Sequence, residues 1–304
     1  MTIKSVLITG ANAGLGKESA RLMALRPETE RVLLACRNPE RAEAAKAELE
    51  QATGRKIFEI VLMDVTDIAG VRKVVDGLTE PIDGLIMNAG GAGGAGAGDM
   101  TPEGVRWLFS VNVLGHAALL EALLEQGKLT QAAIFASSEA ARGIPAMGFA
   151  RPDLPESSVD DFLDVAKGSA RAFDPMKDYG PVKYVGTLWM SAMARKHPNI
   201  RFVSVSPGMT TGTNAAEEAP GIQKVIFKYI AFPVMTWLGR AHGVETGAQR
   251  YVDVLVDDKY TSGRFYASPW PSTSGPLVDQ AEIFADLDNK AFQDNASTAV
   301  ASFL

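Results

Sequence analysis

The sequence is poor in the residues that form disulfide frameworks and metal centres. It contains one cysteine, Cys36, in 304 residues, so an intramolecular disulfide is excluded. Its three histidines, His116, His197 and His242, are scattered without the spacing of metal ligands. A formal net charge of −6 provides no basic surface for nucleic acid. We therefore expect neither a metal site nor a nucleic-acid partner.

Signals for export or membrane insertion are also missing. The first ten residues lack the long apolar stretch of a signal peptide, which favours a cytoplasmic protein. Ile222–Leu238 is rich in apolar residues but is interrupted by Gln223, Lys224, Lys228 and Pro233, so no stable membrane insertion is expected. A substrate lid is the preferred interpretation of this segment, and core packing or peripheral membrane contact are the alternatives.

Short apolar runs alternate with helical stretches along the chain, a pattern typical of a parallel sheet wrapped by helices. The hydrophobic fraction of 46% is enough for a large core. The predicted strands are Ser5–Thr9, Arg31–Ala35, Ile57–Met63, Gly84–Met87, Ala132–Ala136, Arg201–Val205 and Arg264–Ala267. The sequence therefore predicts a single α/β domain over residues 1–304, a doubly wound Rossmann fold with a mainly parallel seven-stranded sheet flanked by helices.

Three segments extend beyond this alternating pattern. Residues 143–178 are rich in Pro, Asp and Ser and are predicted to be an insertion of loops with room for a short helix. Residues 213–242 contain the expected substrate lid. Residues 268–304 form a C-terminal tail in which one amphipathic helix is predicted; its apolar residues are Ile283, Phe284, Leu287 and Phe292.

A glycine-rich turn joins the first strand to a helical stretch, Lys17–Leu25. Unpaired N–H groups and partial positive charge at a helix start favour a diphosphate, and glycine allows the backbone to approach it closely. A turn without any ligand is the alternative. The strand-turn-helix context favours a dinucleotide site. Its residues are Gly10, Asn12, Ala13, Gly14, Leu15 and Gly16.

The end of the second strand indicates which dinucleotide binds. An acidic residue about 20 positions after the turn would bind a ribose 2′-hydroxyl and mark NAD. Here the chain has Cys36 and Arg37, so no carboxylate repels a 2′-phosphate and a guanidinium is available for it. We expect NADP(H), with a solvated strand-end charge as the alternative role of Arg37. Cys36 is expected to be an apolar wall rather than a reactive thiol.

Seven motifs follow one another at the expected strand ends. They are Thr9-Gly-x-x-x-Gly-x-Gly16, Asp64-Val65, Asn88-Ala89-Gly90, Asn112, Ser137-Ser138, Tyr179-x-x-x-Lys183 and Pro207-Gly208. With these motifs in this order, the chain resembles the short-chain dehydrogenase/reductase family of classical type over residues 3–212. Two short runs are similar to retinol-dehydrogenase-like members, and other features more faintly resemble protochlorophyllide reductase.

The resemblance implies a role for each motif. Asp64 and Val65 would contact adenine, and Asn88, Ala89 and Gly90 would run beside the cofactor. The loop after the sixth strand would reach the nicotinamide half through Pro207, Gly208, Thr210 and Thr211. These roles, together with the glycine turn, Arg37, Tyr179 and Lys183, make up the expected NADP(H) site.

The same resemblance implies hydride transfer between a nicotinamide and a carbonyl or alcohol carbon. Tyr179 would supply the proton, and Lys183, one helical turn later, would favour its phenolate and hold the nicotinamide ribose. Ser138 would orient the substrate oxygen, and Asn112 would hold a water that links Lys183 to solvent. Pro181 suits a first helical turn, which would place Tyr179 at the helix start beside the positive end of the dipole.

We therefore expect an NADP(H)-dependent oxidoreductase that interconverts a carbonyl and an alcohol on an apolar small molecule. The alternatives are a reductase of a C=C or ring bond, as in protochlorophyllide reductase, and a non-catalytic NADP(H)-sensing module. Relatives pair through the helices that carry Asn112 and Tyr179. Because the insertion at residues 143–178 could cover that face, a monomer is slightly favoured over a homodimer.

Overall fold

The computed structural model describes residues 1–93, 96–154, 156–168, 172–211 and 241–304. Its main sheet has the strand order β10-β9-β6-β5-β4-β1-β2-β3. The strands are β1 Ser5–Thr9, β2 Arg31–Cys36, β3 Phe58–Leu62, β4 Ile82–Met87, β5 Leu129–Ala136, β6 Arg201–Val205, β9 Phe265–Ala267 and β10 Val278–Asp279. A separate pair joins β7 Thr210–Thr211 to β8 His242–Gly243. The predicted doubly wound α/β fold is thus confirmed.

Helices cover both faces of this sheet. The helices of the described residues are α1 Gly14–Ala24, α2 Pro39–Thr53, α3 Ile68–Gly77, α4 Trp107–Phe109, α5 Gly115–Glu125, α6 Val159–Lys167, α7 Pro175–Lys196, α8 Val244–Val256 and α9 Lys290–Ala301. A π-helical turn, Ser110–Leu114, joins α4 to α5. Trp107–Glu125 has the length and mean hydropathy, 1.5, of a membrane span, but 83% of it is buried, so it is a core helix.

Alternate strand residues enter two hydrophobic cores, one on each face of the sheet. On β1, Leu7 packs into the core beneath α3, α5 and α7, whereas Val6 and Ile8 pack into the core beneath α1, α2 and α8. All three side chains are fully buried. This two-sided burial is the reason that the strand sequences are continuous apolar runs.

Two details of the sheet and tail differ from the sequence prediction. The sheet has eight strands rather than seven, because the short β10 pairs antiparallel with β9 at the edge. Two residues carry too little pattern to be recognised as a strand. The tail also does not form one amphipathic helix. Two 3₁₀ turns, Gln280–Glu282 and Ala285–Asp288, precede α9, because Asn289 caps a new helix there.

The insertion at residues 143–178 folds against α7. Its 3₁₀ turn, Pro145–Met147, is followed by α6, which begins with a capping box between Ser158 and Asp161. Phe162 of α6 is fully buried and lies 6.4 Å from the Tyr184 ring of α7, measured between ring centroids. The expected lid at residues 213–242 lies, except for its last two residues, outside the described residues.

Candidate active site

The glycine turn and the Asn88 motif flank one crevice at the carboxyl edge of the sheet. Because β1 pairs with both β2 and β4, strand order reverses there, which is where open α/β sheets bind ligands. The Thr9 hydroxyl accepts from the backbone N–H groups of Asn88, at 2.8 Å, and Ala89, at 2.9 Å. The Asn88 amide donates to the Thr9 carbonyl at 2.9 Å. These bonds hold the two strand ends together.

The start of α1 has the form of a diphosphate cradle. Ala13 at its N-cap is extended and provides no side-chain cap, so the first-turn N–H groups face the crevice without an internal acceptor. A Cβ at Gly16 would lie 2.4 Å from the Gly10 carbonyl oxygen, so only glycine permits this close approach. Asn12, Ala13, Gly14 and Leu15 are half-buried at the surface of the cradle. The residues present therefore fit a dinucleotide diphosphate.

At the end of β2 the chain offers an exposed cation beside a buried thiol. Cys36 is 2% exposed, and burial raises its pKa to about 11, which keeps the thiol protonated and unreactive. Arg37 is exposed and has no ion-pair or hydrogen-bond partner in the described part of the chain. Arg41, in the first turn of α2, is exposed as well. Sequence reasoning missed Arg41, although its spacing of four residues from Arg37 on a helix start would have suggested it.

The remaining expected cofactor residues lie along the same edge. Asp64 is half-buried, and its Oδ1 accepts from the backbone N–H of Thr66 at 2.9 Å and from its hydroxyl at 2.7 Å. Val65 is 6% exposed. After β6, Thr210 donates to the Gly208 carbonyl at 3.1 Å, and Thr211 donates to the His242 carbonyl at 3.2 Å.

The Pro207 carbonyl in this loop accepts a hydrogen bond from Nε2 of His242 at 2.7 Å. The loop is thus fixed from two sides, by its own threonines and by β8. Within the described residues, no group of three His, Cys, Asp or Glu side chains could hold a metal ion.

Tyr179 and Lys183 lie on one face of α7. The Lys183 amine is 5.6 Å from the centroid of the Tyr179 ring and 5.1 Å from that of Phe135. It donates to the Ala136 carbonyl at 2.7 Å, and among the described residues no carboxylate lies within ion-pair distance of it. Burial lowers its pKa to about 7. An ammonium at this position would stabilise an adjacent phenolate, because no other anion competes for it.

The start of α7 differs from the sequence prediction. The helix begins at Pro175, with Asp174 as its N-cap, and Pro181 lies inside it. Tyr179 is therefore in the second turn and not at the helix start. Because the dipole acts mainly over the first turn, its effect at Tyr179 is smaller than the sequence suggested.

Of the two serines after β5, only Ser138 faces the crevice. Ser137 is buried, and its hydroxyl lies 2.7 Å from the Thr187 hydroxyl. Because Thr187 already donates its hydrogen to the Lys183 carbonyl, Ser137 is the donor in the Ser137–Thr187 hydrogen bond. Ser138 is half-buried and accepts from the Ala140 N–H at 3.1 Å, which leaves its hydroxyl hydrogen for a substrate oxygen. A Cβ at Gly180 would lie 2.8 Å from the Ala140 carbonyl, so the Ser138 turn packs beside Tyr179.

Asn112 lies in the π-helical turn and is fully buried. Its side-chain amide donates to the carbonyls of Gly91 and Leu108, each at 2.9 Å. Its Oδ1 is buried without a hydrogen-bond partner and would lie 2.4 Å from a Cβ at Gly90, where φ is +144°. The side chain thus ties the loop after β4 to the helix.

The chain is similar to known dehydrogenases in sequence and fold. Residues 4–148 match the family model described as short chain dehydrogenase. The short chain dehydrogenase rstn4 of Aspergillus nomiae is 36% identical over 143 residues, which are 46% of this chain and 38% of that protein. Retinol dehydrogenase 11 of Homo sapiens is 35% identical over 128 residues, which are 41% of this chain and 39% of that protein. Over residues 4–148 the chain is thus similar to the short-chain dehydrogenase/reductase family.

These sequence matches span about two fifths of the length of each relative. One solved structure extends the likeness in fold to most of the chain. L-sorbose reductase from Gluconobacter frateurii, complexed with NADPH and L-sorbose, has a TM-score of 0.63 and 18% identity, over 90% of this chain and 97% of that one. Its identity is low, so it shows the shared fold alone.

One buried ionic cluster beside the candidate site was missed by sequence reasoning. Glu139, next to Ser138, is 2% exposed; it accepts from the Ser206 hydroxyl and, at 2.9 Å, from the Ser268 hydroxyl. The Arg250 guanidinium lies 3.8 Å from its carboxylate. No local pattern predicts such a cluster, because its members are 18 to 129 positions apart.

Proposed function

We propose that the chain is an NADP(H)-dependent oxidoreductase that interconverts a carbonyl and an alcohol on an apolar small molecule. The observation that carries this proposal is the buried Lys183 amine, 5.6 Å from the Tyr179 ring and without a carboxylate among the described residues around it. A buried amine without an ion-pair partner is unfavourable for stability. This unfavourable burial is explained if the amine stabilises a phenolate and binds the hydroxyls of a bound ribose.

In the reductive direction, Ser138 donates its hydroxyl hydrogen to the substrate carbonyl oxygen and orients it. A nicotinamide held in the expected cofactor site would supply the hydride to the carbonyl carbon. As negative charge grows on the oxygen, Tyr179 transfers its phenolic proton to it, and the alcohol forms. Lys183 stabilises the phenolate that remains. A proton returns to Tyr179 from solvent before the next turnover, and the oxidation of an alcohol reverses each step.

The preference for NADP(H) is supported by the end of β2. Arg37 and Arg41 are exposed, whereas an NAD-type carboxylate is absent from positions 36 and 37. A guanidinium can bind a 2′-phosphate through two parallel hydrogen bonds.

The apolar substrate is supported by exposed side chains around the catalytic residues. Met176, one helical turn before Tyr179, is 42% exposed. Trp270 is 39% exposed. Its ring lies 5.3 Å from the guanidinium of Arg142, and Arg142 is the last residue of the turn that begins at Ser138. Large apolar side chains are usually buried, so such exposure beside a cleft favours an apolar ligand. By the same argument, the apolar segment expected to form a substrate lid within residues 213–242 favours an apolar substrate.

A screen of NADPH consumption over retinoid-like, steroid-like, quinone and short polar carbonyls tests the function. We expect the highest kcat/KM with a bulky apolar carbonyl. A hydrophilic ketose as the best substrate would contradict the apolar assignment. Activity confined to a C=C or ring bond would favour the protochlorophyllide-type alternative, and binding without any turnover would favour the sensing module.

Tyr179→Phe tests the proton transfer within the same screen. It removes only the phenolic hydroxyl, so we expect kcat to fall by about 10²- to 10⁴-fold while the NADPH Kd changes little. Tyr184→Phe is the matched control on the same helix, because its hydroxyl bonds Asp286 at 2.9 Å and faces away from the cleft chemistry. Near-normal turnover by Tyr179→Phe would overturn the general-acid role.

A further inference from the structure

His116 is a buried titratable residue to which the proposed mechanism gives no role. It is the second residue of α5, one helical turn after Asn112, and is 1% exposed. Its ring touches two parts of the site. Nε2 lies 3.0 Å from the Thr9 hydroxyl at the end of β1, and Nδ1 lies 3.3 Å from the Asn112 backbone carbonyl.

The hydrogen bonds around Thr9 fix the tautomer of this ring. The Thr9 hydroxyl oxygen already accepts from the N–H groups of Asn88 and Ala89, which uses both of its lone pairs. Its one hydrogen must therefore be donated. The Ile86 carbonyl, at 3.5 Å, is at the limit of hydrogen-bond distance, whereas His116 Nε2 is at 3.0 Å. Nε2 is thus the acceptor, and the ring proton lies on Nδ1.

The second hydrogen bond of the ring agrees with this tautomer. A carbonyl can only accept, so the Nδ1–H of His116 donates to Asn112. Burial, with a smaller effect from the charge of Lys183, lowers the His116 pKa to about 3, so the ring is neutral at working pH. A ring that neither gains nor loses a proton cannot take part in proton transfer. Its role is to hold groups in place.

We propose that His116 is a positioning residue that joins the cofactor cradle to the π-helical turn carrying Asn112 through one fixed tautomer. Its Nε2 braces the Thr9–Asn88–Ala89 bonds that hold β1 to β4, where the dinucleotide would run. Its Nδ1–H orients the Asn112 carbonyl within the π-helical turn, where a water would link Lys183 to solvent. The inference rests on the proposed function, and it assigns different consequences to the two ends of the ring.

A third contact places His116 beside the catalytic amine. Its ring meets the Phe135 ring edge-on, with 6.4 Å between centroids, and the Lys183 amine lies 5.1 Å from the centroid of the same ring. Phe135 therefore neighbours both His116 and Lys183. A displaced imidazole would disturb the position of that ring as well as the two hydrogen bonds.

Two substitutions separate the ends of the ring. In His116→Asn the amide nitrogen can replace Nδ1–H, so the Asn112 bond is kept and the Thr9 bond is lost. In His116→Gln the amide oxygen can replace Nε2, so the Thr9 bond is kept and the Asn112 bond is lost. We expect His116→Asn to raise the NADPH Kd about tenfold with kcat little changed. His116→Gln is expected to lower kcat about tenfold and to shift its pH profile, with Kd nearly unchanged.

His197→Gln is the control for the chemical change itself, because His197 ends α7 and contacts neither Thr9 nor Asn112. Equal effects of the two His116 variants on Kd and kcat, or a loss of thermal stability alone, would overturn the proposal. Such a result would give His116 a packing role only.

Nitrogen NMR of histidine-labelled wild-type protein provides a test without turnover. We expect one histidine in the Nδ1–H form that does not titrate from about pH 8 to about pH 5. His242 is the internal contrast, because its Nε2 donates to the Pro207 carbonyl and its tautomer is therefore opposite. A His116 ring that titrates in this range, or that carries its proton on Nε2, rejects the inference. If no carbonyl is turned over, the proposed function fails, but the NMR and Kd results still decide the role of His116.

Discussion

Arg37 is exposed at the end of β2, and no described acid is paired with it. In Arg37→Asp, a carboxylate would repel a 2′-phosphate and accept from a 2′-hydroxyl instead. We expect kcat/KM with NADPH to fall by at least about tenfold and the value with NADH to rise. Steady-state kinetics with both cofactors measure this.

Lys56→Asp is the matched control for this charge reversal. Lys56 is exposed and precedes β3, so it lies at the opposite edge of the parallel sheet from the end of β2. Its substitution should leave the ratio of the two kcat/KM values unchanged. Equal use of NADPH and NADH by the wild type would contradict the cofactor assignment before any variant is made.

Lys183 is expected to reduce stability near neutral pH. Its pKa is about 7 in the folded chain against 10.5 for a solvated lysine, so between these values the unfolded chain binds a proton that the folded chain lacks. The free energy of unfolding therefore rises with pH through this window, and the penalty is largest at and below pH 7. In Lys183→Met, which cannot be charged, we expect higher stability than the wild type at pH 7, by a few kcal/mol.

Urea unfolding of both proteins without cofactor, at about pH 7 and about pH 9, checks this expectation. The stability difference should narrow at the higher pH, because every other group titrates alike in the two proteins. A Lys183→Met protein that is less stable than the wild type at neutral pH would show that the amine has a compensating anion, and would weaken the argument for its catalytic role.

At the scale of elements, the turn after β5 is fastened to α8 and to the segment after β9. Glu139 joins Ser206 and Ser268, and Arg250 of α8 donates to the Gly275 carbonyl at 2.7 Å. The two charged side chains are 3% and 7% exposed. Burial of both charges means that loss of either partner leaves the other poorly solvated.

Arg250→Met leaves the Glu139 carboxylate buried without its nearest cation. We expect a loss of about 3 kcal/mol in the free energy of unfolding, a smaller loss in Glu139→Gln, and a double variant less destabilised than the sum of the two. A double-mutant cycle by urea unfolding measures the coupling. Additive losses would show that the two side chains act independently.

The elements that local pattern defines were predicted well, and those defined by distant contacts were not. β1 and β6 have their predicted bounds, since continuous apolar runs and glycine or proline mark where strands end. The π-helical turn around Asn112 could not be predicted, because it depends on packing against the loop at Gly91. The start of α7 was misplaced because Pro181 was taken to mark a first turn, whereas Asp174 caps the helix earlier.

At the scale of the whole molecule, α7 is covered by other elements of the same chain. Val182–Met193 of α7 is buried throughout. The elements that cover α7 differ from those expected from the sequence, which assigned this role to the insertion at residues 143–178 alone. α9 from the tail packs along α7, with Lys196 donating to Ser297 at 2.7 Å, and the insertion supports α9 where Asn295 donates to the Ser157 carbonyl at 3.0 Å. The tail carried too weak a pattern for this docking to be predicted.

Because α7 has no exposed stretch between these residues, symmetric pairing through this helix would require α9 to leave it. Removal of α9 would expose a large apolar area, at a cost of about 25 cal/mol per Å². We therefore expect a monomer, with a mass near 32.4 kDa by light scattering at micromolar concentration. Arg195→Ala, which removes the ion pair to Asp294 and the contact to the Lys290 carbonyl, weakens the docking of α9 without touching the cleft. A mass of Arg195→Ala equal to that of the wild type would show that packing alone holds α9 in place. A larger mass in the variant alone would show that α9 covers a pairing surface. A stable dimer of the wild type would contradict the expected monomer.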